Sequence, residues 1–378
     1  MNMSLEIIIL AAGQGTRMRS SLPKVLHKIG DKALLEHVHA LASSFEAEKV
    51  SIVYGHGGDA VLNRLSSLPV QWVEQKERLG TGHAVMQLEQ DIRNDATVLI
   101  LYGDVPLLSQ ATVARLLTLV TDTSMGLLTV QLAKPYGYGR ILRDEYGNVL
   151  RIVEEKDASP EERKVAEGNT GILAVNGGQL KAWLSRLENR NAQREYYLTD
   201  VIAMAVADGV TVKTTQPASV DEVLGVNDRS QLAYLERVYQ AAWSERLMQL
   251  GVSLRDPARL DVRGEFVGIG QDVEIDVNVI FEGQIKIGHR VKIGPNTVIR
   301  NSEIGDDVEI LENCVIENAS VGSGSRIGPF ARLRPETRLA SNVHVGNFVE
   351  IKKSTVADGS KINHLSYIGD SQVGSGVN

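Results

Sequence analysis

Two alternating textures organise residues 1–227: short unbroken aliphatic runs, and segments in which apolar residues return every three or four places. Ile7–Leu10, Val50–Tyr54, Gln71–Val73 and Thr97–Tyr102 read as strands, while Ala33–Phe45 and Ala111–Val120 carry helical spacing. This alternation predicts an α/β Rossmann-like domain on a largely parallel sheet, where ligands gather beyond the carboxyl ends of strands. Gly13–Arg17, Gln75–Thr81 and Gly103-Asp104 all fall at such ends and are expected to share one cleft. Over 228–250 the period lengthens into a single amphipathic helix, with Leu232, Leu235, Val238, Tyr239, Ala242, Trp243, Leu247 and Leu250 on its apolar stripe. A linker helix is the expectation.

From 251 to 378 the pattern changes again. An aliphatic or aromatic residue leads units of six at Ile269, Ile275, Phe281, Ile287, Ile293 and Ile299. One-residue slips then separate Ile304, Ile310, Ile316 from Val321, Ile327, Leu333, Leu339, Val345, Ile351, and those from Val356, Ile362, Ile368, Val373. Four places after many of them stands a small or β-branched residue: Val273, Val279, Val291, Thr297, Val308, Cys314, Ala331 and Thr355. The period predicts a left-handed parallel β-helix, three units to a triangular coil with the leading aliphatics stacked inside; ordinary antiparallel β-structure is the alternative. Stacked coils need a cap at each end, and the chain stops at Asn378 in mid-repeat, so a C-terminally truncated, incomplete β-helix is expected.

A chain of 378 residues exceeds what one core usually fills, in line with this division. The net charge of -7 argues against a general nucleic-acid or membrane-surface binder, so an anionic ligand has to be held by local cations. Cys314 is the only cysteine, which removes intrachain disulfides and cysteine-rich zinc sites and leaves a buried thiol as its expected role. The first apolar run is too short for a secretory signal and has no basic residue before it, and the expectation is a cytoplasmic protein.

The chemistry concentrates in Leu10-Ala11-Ala12-Gly13-Gln14-Gly15-Thr16-Arg17-Met18 with Pro23-Lys24. Glycines admit an anion close to backbone N–H groups, a helix beginning near Thr16 would aim its positive end there, and two cations follow. A strand, turn and helix with surface charges explains the same residues, and the glycines alone leave both readings open. A dinucleotide fingerprint is excluded because Met18 stands where its third glycine belongs, and a Walker loop because no Gly-Lys-Ser/Thr follows. Asp104 directly follows a strongly apolar strand, where a carboxylate is costly unless paired or bound to a metal; a cap or turn anchor is the other reading.

These stretches resemble the signature of sugar-phosphate nucleotidylyltransferases. With Leu79-Gly80-Thr81-Gly82-His83-Ala84, Tyr138-Gly139-Arg140, Val153-Glu154-Glu155-Lys156-Asp157, Glu195-Tyr196-Tyr197-Leu198-Thr199-Asp200, Arg332-Leu333-Arg334-Pro335, Lys352-Lys353 and His364-Leu365-Ser366-Tyr367-Ile368-Gly369-Asp370, the chain is similar throughout to one group. That group is the bacterial bifunctional N-acetylglucosamine-1-phosphate uridylyltransferase/glucosamine-1-phosphate N-acetyltransferase family. The resemblance implies transfer of UMP from UTP to N-acetylglucosamine 1-phosphate, giving UDP-N-acetylglucosamine and pyrophosphate. It implies that Arg17 and Lys24 hold the triphosphate beside Leu10, Ala11, Ala12 and Gly13, and that Asp104 and Asn227 bind Mg²⁺. Gln75, Gly80 and Thr81 then lie at the uracil, with Tyr102 and Gly103 in the substrate site and Gly139, Glu154, Asn169 and Tyr197 around the sugar; His83 is read as structural. For acetyl transfer from acetyl-CoA to glucosamine 1-phosphate it implies His364 as general base oriented by Glu350, Arg334 and Lys352 as a phosphate clamp, and Tyr367 and Asn378 completing the pocket. It further implies a homotrimer, and acetyltransferase activity impaired or lost here because the family's site uses residues beyond 378. The alternatives are a uridylyltransferase for another sugar 1-phosphate and a non-catalytic sugar-nucleotide-binding scaffold.

Overall fold

Ile7 to Leu10 are buried without alternation because the strand they form is covered on both faces. Ile8 and Leu10 pack with Val98 and Ile100 in one core cluster, while Ile7 and Ile9 pack with Leu99 and Leu101 in another. Each such side chain contributes about 1.5–3 kcal/mol by leaving water. The computed structural model describes residues 4–13, 15–55 and 57–378, and divides into two units: 1–28 with 32–235, and 29–31 with 236–378.

The first unit is built on strands β1 (Leu5–Ala11), β2 (Lys49–Tyr54), β3 (Gln71–Glu74), β4 (Thr97–Tyr102), β5 (Ser124–Gln131), β6 (Arg140–Arg143), β7 (Val149–Val153), β8 (Glu167–Asn176) and β9 (Thr211–Thr215). The sheet runs β9-β5-β8-β4-β1-β2-β3, with the β6–β7 hairpin joined to it through β8. Strands β4, β1, β2 and β3 are parallel, as the pattern of runs predicts; β8 is antiparallel to both its neighbours. Helices α1 (Leu34–Ser43), α2 (Gly58–Leu65), α3 (Thr81–Met86), α4 (Gln110–Leu117), α5 (Gly177–Leu184) and α6 (Asp200–Ala207) belong to the same unit. The chain leaves β1 toward β2 and β3 and returns on its other side as β4. This reversal opens a crevice at the carboxyl ends of β1 and β4, where doubly wound sheets take their ligands.

Helix α7 (Arg229–Gln249) covers the predicted helical stretch, and the division between units falls within it, at Leu235/Glu236. Its buried stripe differs from the predicted one. Leu235 and Leu247 are buried, but Ala242 and Leu250 are exposed, and Gln240 and Ser244 are inside. Hydrogen bonds explain the exchange. The Gln240 amide donates to the Val262 carbonyl at 3.0 Å and accepts its N–H at 2.7 Å, as a neighbouring strand would, and the Ser244 hydroxyl donates to Pro257 O at 2.8 Å. No helix among the described residues is long and apolar enough to cross a membrane.

The second unit is a parallel β-helix. Ile275, Ile293, Ile310, Ile327, Val345 and Ile362 stand in register on one face, each paired in parallel with the next. Ile299, Ile316, Leu333 and Ile351 stack on a second face, and Ile304, Val321, Leu339 and Val356 on a third. All of these are buried. Val273, Val279, Val291, Thr297, Val308, Cys314 and Ala331 also point inward, but Thr355 does not. Where a unit shortens to five residues, the inward place comes three positions after the leading aliphatic, so Ser354 takes it, as Ser302 and Ala319 do in earlier coils. Burial raises the Cys314 thiol to a pKa of about 11, keeping it neutral.

Gln240→Leu would leave the Val262 N–H and C=O without partners in a dry setting, at a cost of about 1–3 kcal/mol for each unsatisfied group. The variant should unfold at clearly lower denaturant than wild type; an unchanged midpoint would show that the amide is not holding this strand.

Candidate active site

Three strand ends meet in one cavity of about 790 Å³ lined by Leu10, Ala11, Ala12, Gly13, Lys24, Val25, Gln75, Lys76, Arg78, Gly80, Thr81, Ala84, Tyr102, Asp104 and Glu195. The stretch after β1 forms its first wall, though Gln14 lies outside the described residues. The helix expected from Thr16 is only a three-residue 3-10 turn, Thr16–Met18, too short for a macrodipole to matter. What the turn provides is position. Gly15 sits at φ 61°, and a Cβ there would lie 2.6 Å from Lys24 Cβ, so glycine is needed both for the backbone and to let the lysine stem pass. Arg229 holds the turn from behind by donating to Met18 O at 3.2 Å. Arg17 is exposed and lies outside the residues lining the cavity.

Lys24 reaches inward. Its ammonium donates to Asp104 Oδ2 in a very short contact and to Asn227 Oδ1 at 3.2 Å, with both charged side chains largely withdrawn from solvent. Asp104 does not cap the following helix, since the Ser109 hydroxyl accepts the Thr112 N–H at 3.2 Å in that role. Its own carbonyl accepts from Val226 N at 2.9 Å, which brings Asn227 alongside. Two hard oxygen donors thus converge on a single cationic point.

Beyond Tyr102 lies a second cluster. Asn169 donates its backbone N–H to Gly139 O at 2.8 Å, and its side chain accepts from Gly171 N at 3.0 Å within the irregularity of β8. Gly171 has φ 83°, and a Cβ there would strike the Tyr102 ring at 2.5 Å. Thr199 donates to Glu154 Oε1 at 3.0 Å, and a Cβ on Gly139 would stand 3.5 Å from the Glu154 oxygens. Burial raises the Glu154 pKa, and Asp200, Asp157 and Glu195 add to the rise against the Thr199 hydrogen bond. Burial, Asp157 and Glu154 likewise hold the Tyr197 phenol neutral. Burial, then Glu154 and Asp104, push Tyr102 upward, so this ring faces both clusters.

Comparison with known proteins now bears on the whole chain. Residues 7–154 match the MobA-like NTP transferase domain and residues 264–347 the GMPPB C-terminal domain. The bifunctional protein GlmU of Methylococcus capsulatus is 62% identical over 376 residues, covering 100% of this chain and 82% of that protein. The chain belongs to the bifunctional GlmU family. The GlmU of Aromatoleum aromaticum is 54% identical over 99% of this chain and 82% of that protein. A UDP-glucose pyrophosphorylase solved with UDP-glucose shares the fold, with a TM-score of 0.51 at 18% identity over 63% of this chain and 98% of that one.

GlmU relatives are bifunctional by name, and the β-helix of this chain carries its own constellation. Arg334, Glu350, Lys352 and Tyr367 lie on or beside consecutive strands of one face, with Glu350 opposite Tyr367 and Lys352 opposite Gly369 in the register. Arg334 donates to Glu350 Oε1 at 2.8 Å. Glu350 is thereby held in a charge-assisted ion pair on the strand it shares with Lys352. His364 ends a strand on the neighbouring face and is exposed, as is Asn378, whose side chain accepts from Asn363 at 3.1 Å. Sequence reasoning gave no role to Lys76 and Arg78, which the cation-rich Gln75–Arg78 loop after β3 could have signalled, nor to Thr199, which stands in the Glu195–Asp200 motif but whose bond to Glu154 no spacing encodes.

Glu154 supplies a test of this electrostatic picture. Its folded pKa lies above the ordinary 4.5, so the folded chain holds the proton more tightly than the unfolded one, and the associated stability is full below the unfolded value and lost as pH rises through the folded one. Glu154→Gln keeps an acceptor for Thr199 without the charge. Thermal denaturation should show it equal to wild type near about pH 4 and increasingly more stable toward about pH 7; a constant offset would contradict the assignment.

Proposed function

We propose that this chain transfers the uridylyl group of UTP to N-acetylglucosamine 1-phosphate, forming UDP-N-acetylglucosamine and releasing pyrophosphate, and that its β-helix serves acetyl transfer from acetyl-CoA to glucosamine 1-phosphate. Identity of 62% to a bifunctional GlmU along the full chain is the observation that carries this reading. The chain is a nucleotidyltransferase with an acetyltransferase domain.

The sugar-phosphate oxygen attacks the α-phosphorus of UTP as the bond to pyrophosphate breaks. That nucleophile is already an anion, so the protein needs no general base; it has to align negative groups and offset their repulsion. Lys24, Arg17 and the backbone of Leu10–Gly13 are assigned to the phosphates, and Gln75, Gly80 and Thr81 to the base. Glu154, Asn169 and Tyr197 supply acceptors and donors for sugar hydroxyls and the N-acetyl group, with Gly139 giving close approach. Asp104 and Asn227 offer the oxygen donors that suit a divalent cation, Mg²⁺ in this proposal, and their convergence on the Lys24 ammonium supports the fit. Bound there, Mg²⁺ would neutralise phosphate charge. In the second unit His364 would take the proton of the attacking amine while Arg334 and Lys352 hold the sugar phosphate. A cytoplasmic location fits an enzyme drawing on UTP and acetyl-CoA.

A homotrimer is part of the same proposal. The left-handed corner position held by Asn296 and Asn313 in earlier coils passes to Phe330, Phe348 and Leu365, which are 47%, 57% and 76% exposed with φ 55°, 55° and 49°. Bulky side chains are strained there and unfavourable in water, and the phenyl rings stack at 5.3 Å. Such a strip is supported as a surface that meets another copy.

Pyrophosphate release from UTP should proceed with N-acetylglucosamine 1-phosphate well above glucose 1-phosphate, and Asp104→Ala should lower the metal-dependent rate by at least about 100-fold with the fold retained. Equal rates with both sugars would reject the substrate, and an active Asp104→Ala the assigned role. Phe330→Ser with Phe348→Ser should shift the sedimentation coefficient from trimer toward monomer; an unmoved boundary would remove that strip from the assembly surface.

A further inference from the structure

The base end of the cavity contains a hydrogen-bond chain that the uridylyl-transfer reading leaves unused. Gln75 is buried at the end of β3, its backbone N–H held by Tyr54 O at 2.8 Å. Its side-chain Nε2 lies 3.1 Å from Gly80 O and 3.1 Å from His83 Nδ1. Gly80 O is an acceptor only, so the Gln75 nitrogen has to face it, and one amide hydrogen is committed there. The second hydrogen is satisfied only if His83 Nδ1 offers a lone pair, which places the imidazole proton on Nε2.

On its other side, His83 Nε2 lies 3.2 Å from the Gln87 side-chain nitrogen, which also donates to His83 O at 3.0 Å. A neutral imidazole cannot accept at both nitrogens, so one amide has to yield. Gln87 is exposed and can turn to water; Gln75 is enclosed and cannot. His83 is itself fixed on α3, with its ring against Tyr196 at 6.2 Å and 29°, while Gly82 donates to Tyr196 O at 2.8 Å and Tyr196 to Leu79 O at 2.6 Å.

The geometry points to His83 as the positioning residue that locks the Gln75 amide with both hydrogens turned inward, so that the site offers a nucleobase the acceptor Oε1 alone. This rests on the assignment of Gln75 to the base. An acceptor opposite the N3 position welcomes the N3–H of uracil and opposes the N3 lone pair of cytosine. Without His83 the second amide hydrogen has no partner and Gly80 O alone opposes the turned amide, so the gap between the two orientations narrows and Nε2 turns outward toward cytosine at a smaller cost. His83 thus acts on selectivity between pyrimidines without touching either one.

Two variants separate the acceptor from the ring. His83→Phe keeps a ring against Tyr196 and removes the acceptor; His83→Asn removes the ring and keeps an oxygen or nitrogen at the place of Nδ1. The readout is the ratio of kcat/KM for UTP to that for CTP, with N-acetylglucosamine 1-phosphate as co-substrate. His83→Phe should lower that ratio by on the order of ten-fold, with His83→Asn restoring most of it. An unchanged ratio in His83→Phe, or an equal fall in His83→Asn, overturns the positioning role. Gln75→Leu distinguishes the two levels of inference: if it collapses the preference while His83→Phe does not, only the role of His83 fails, and if it leaves the preference intact, the placement of the base at Gln75 fails as well.

Discussion

Parallel strand pairing governs both units. Two strands paired in parallel cannot be joined by a tight hairpin, so the chain has to cross back between them, and in an open sheet those crossovers also cover its faces. In the first unit helical crossovers supply the cover, and they leave the carboxyl ends of β1, β3 and β4 on one edge. Gly13, Gln75 and Asp104 meet because the sheet gives them nowhere else to go. In the second unit the coil makes its own connection, so the chain must present an aliphatic side chain at every turn of each face.

That difference decides what the amino-acid pattern reveals. The interior ladder of the β-helix admits little besides Ile, Val and Leu at fixed intervals, and its period was legible almost position by position, down to the slips. It misled only at Thr355, where a shortened corner hands the inward place to Ser354. The central strands of the first unit were equally plain. The later strands were not, because β8 is broken by the irregularity between Asn169 and Leu173 and its neighbours alternate weakly. Gln240 and Ser244 escaped notice because a buried amide that imitates a strand has no hydrophobic signature. The site divides in the same way. Residues at strand ends announced themselves, whereas Thr199 meets Glu154 across 45 positions and His83 meets Gln75 through a side-chain geometry that no spacing encodes.

The cavity also carries both signs of charge. Lys24, Lys76 and Arg78 stand among its lining residues with Asp104 and Glu195, and Glu195 joins Asp157 and Asp200 in raising the Glu154 pKa beyond what burial does. A chain of net charge -7 thus keeps local cations in the same cavity as carboxylates, with burial, then Glu154 and Asp104, holding the Tyr102 phenol neutral. The overall field matters less than this local arrangement.

Cys314 has a consequence of a different kind. Its thiol is sealed inside a coil and remains protonated at neutral pH, so it is shielded from alkylating reagents as long as the ladder around it stays closed. Because no other cysteine exists, its reaction with such a reagent reports one event, the opening of that coil, against a silent background. The chain carries a chemical clock for the breathing of its own β-helix.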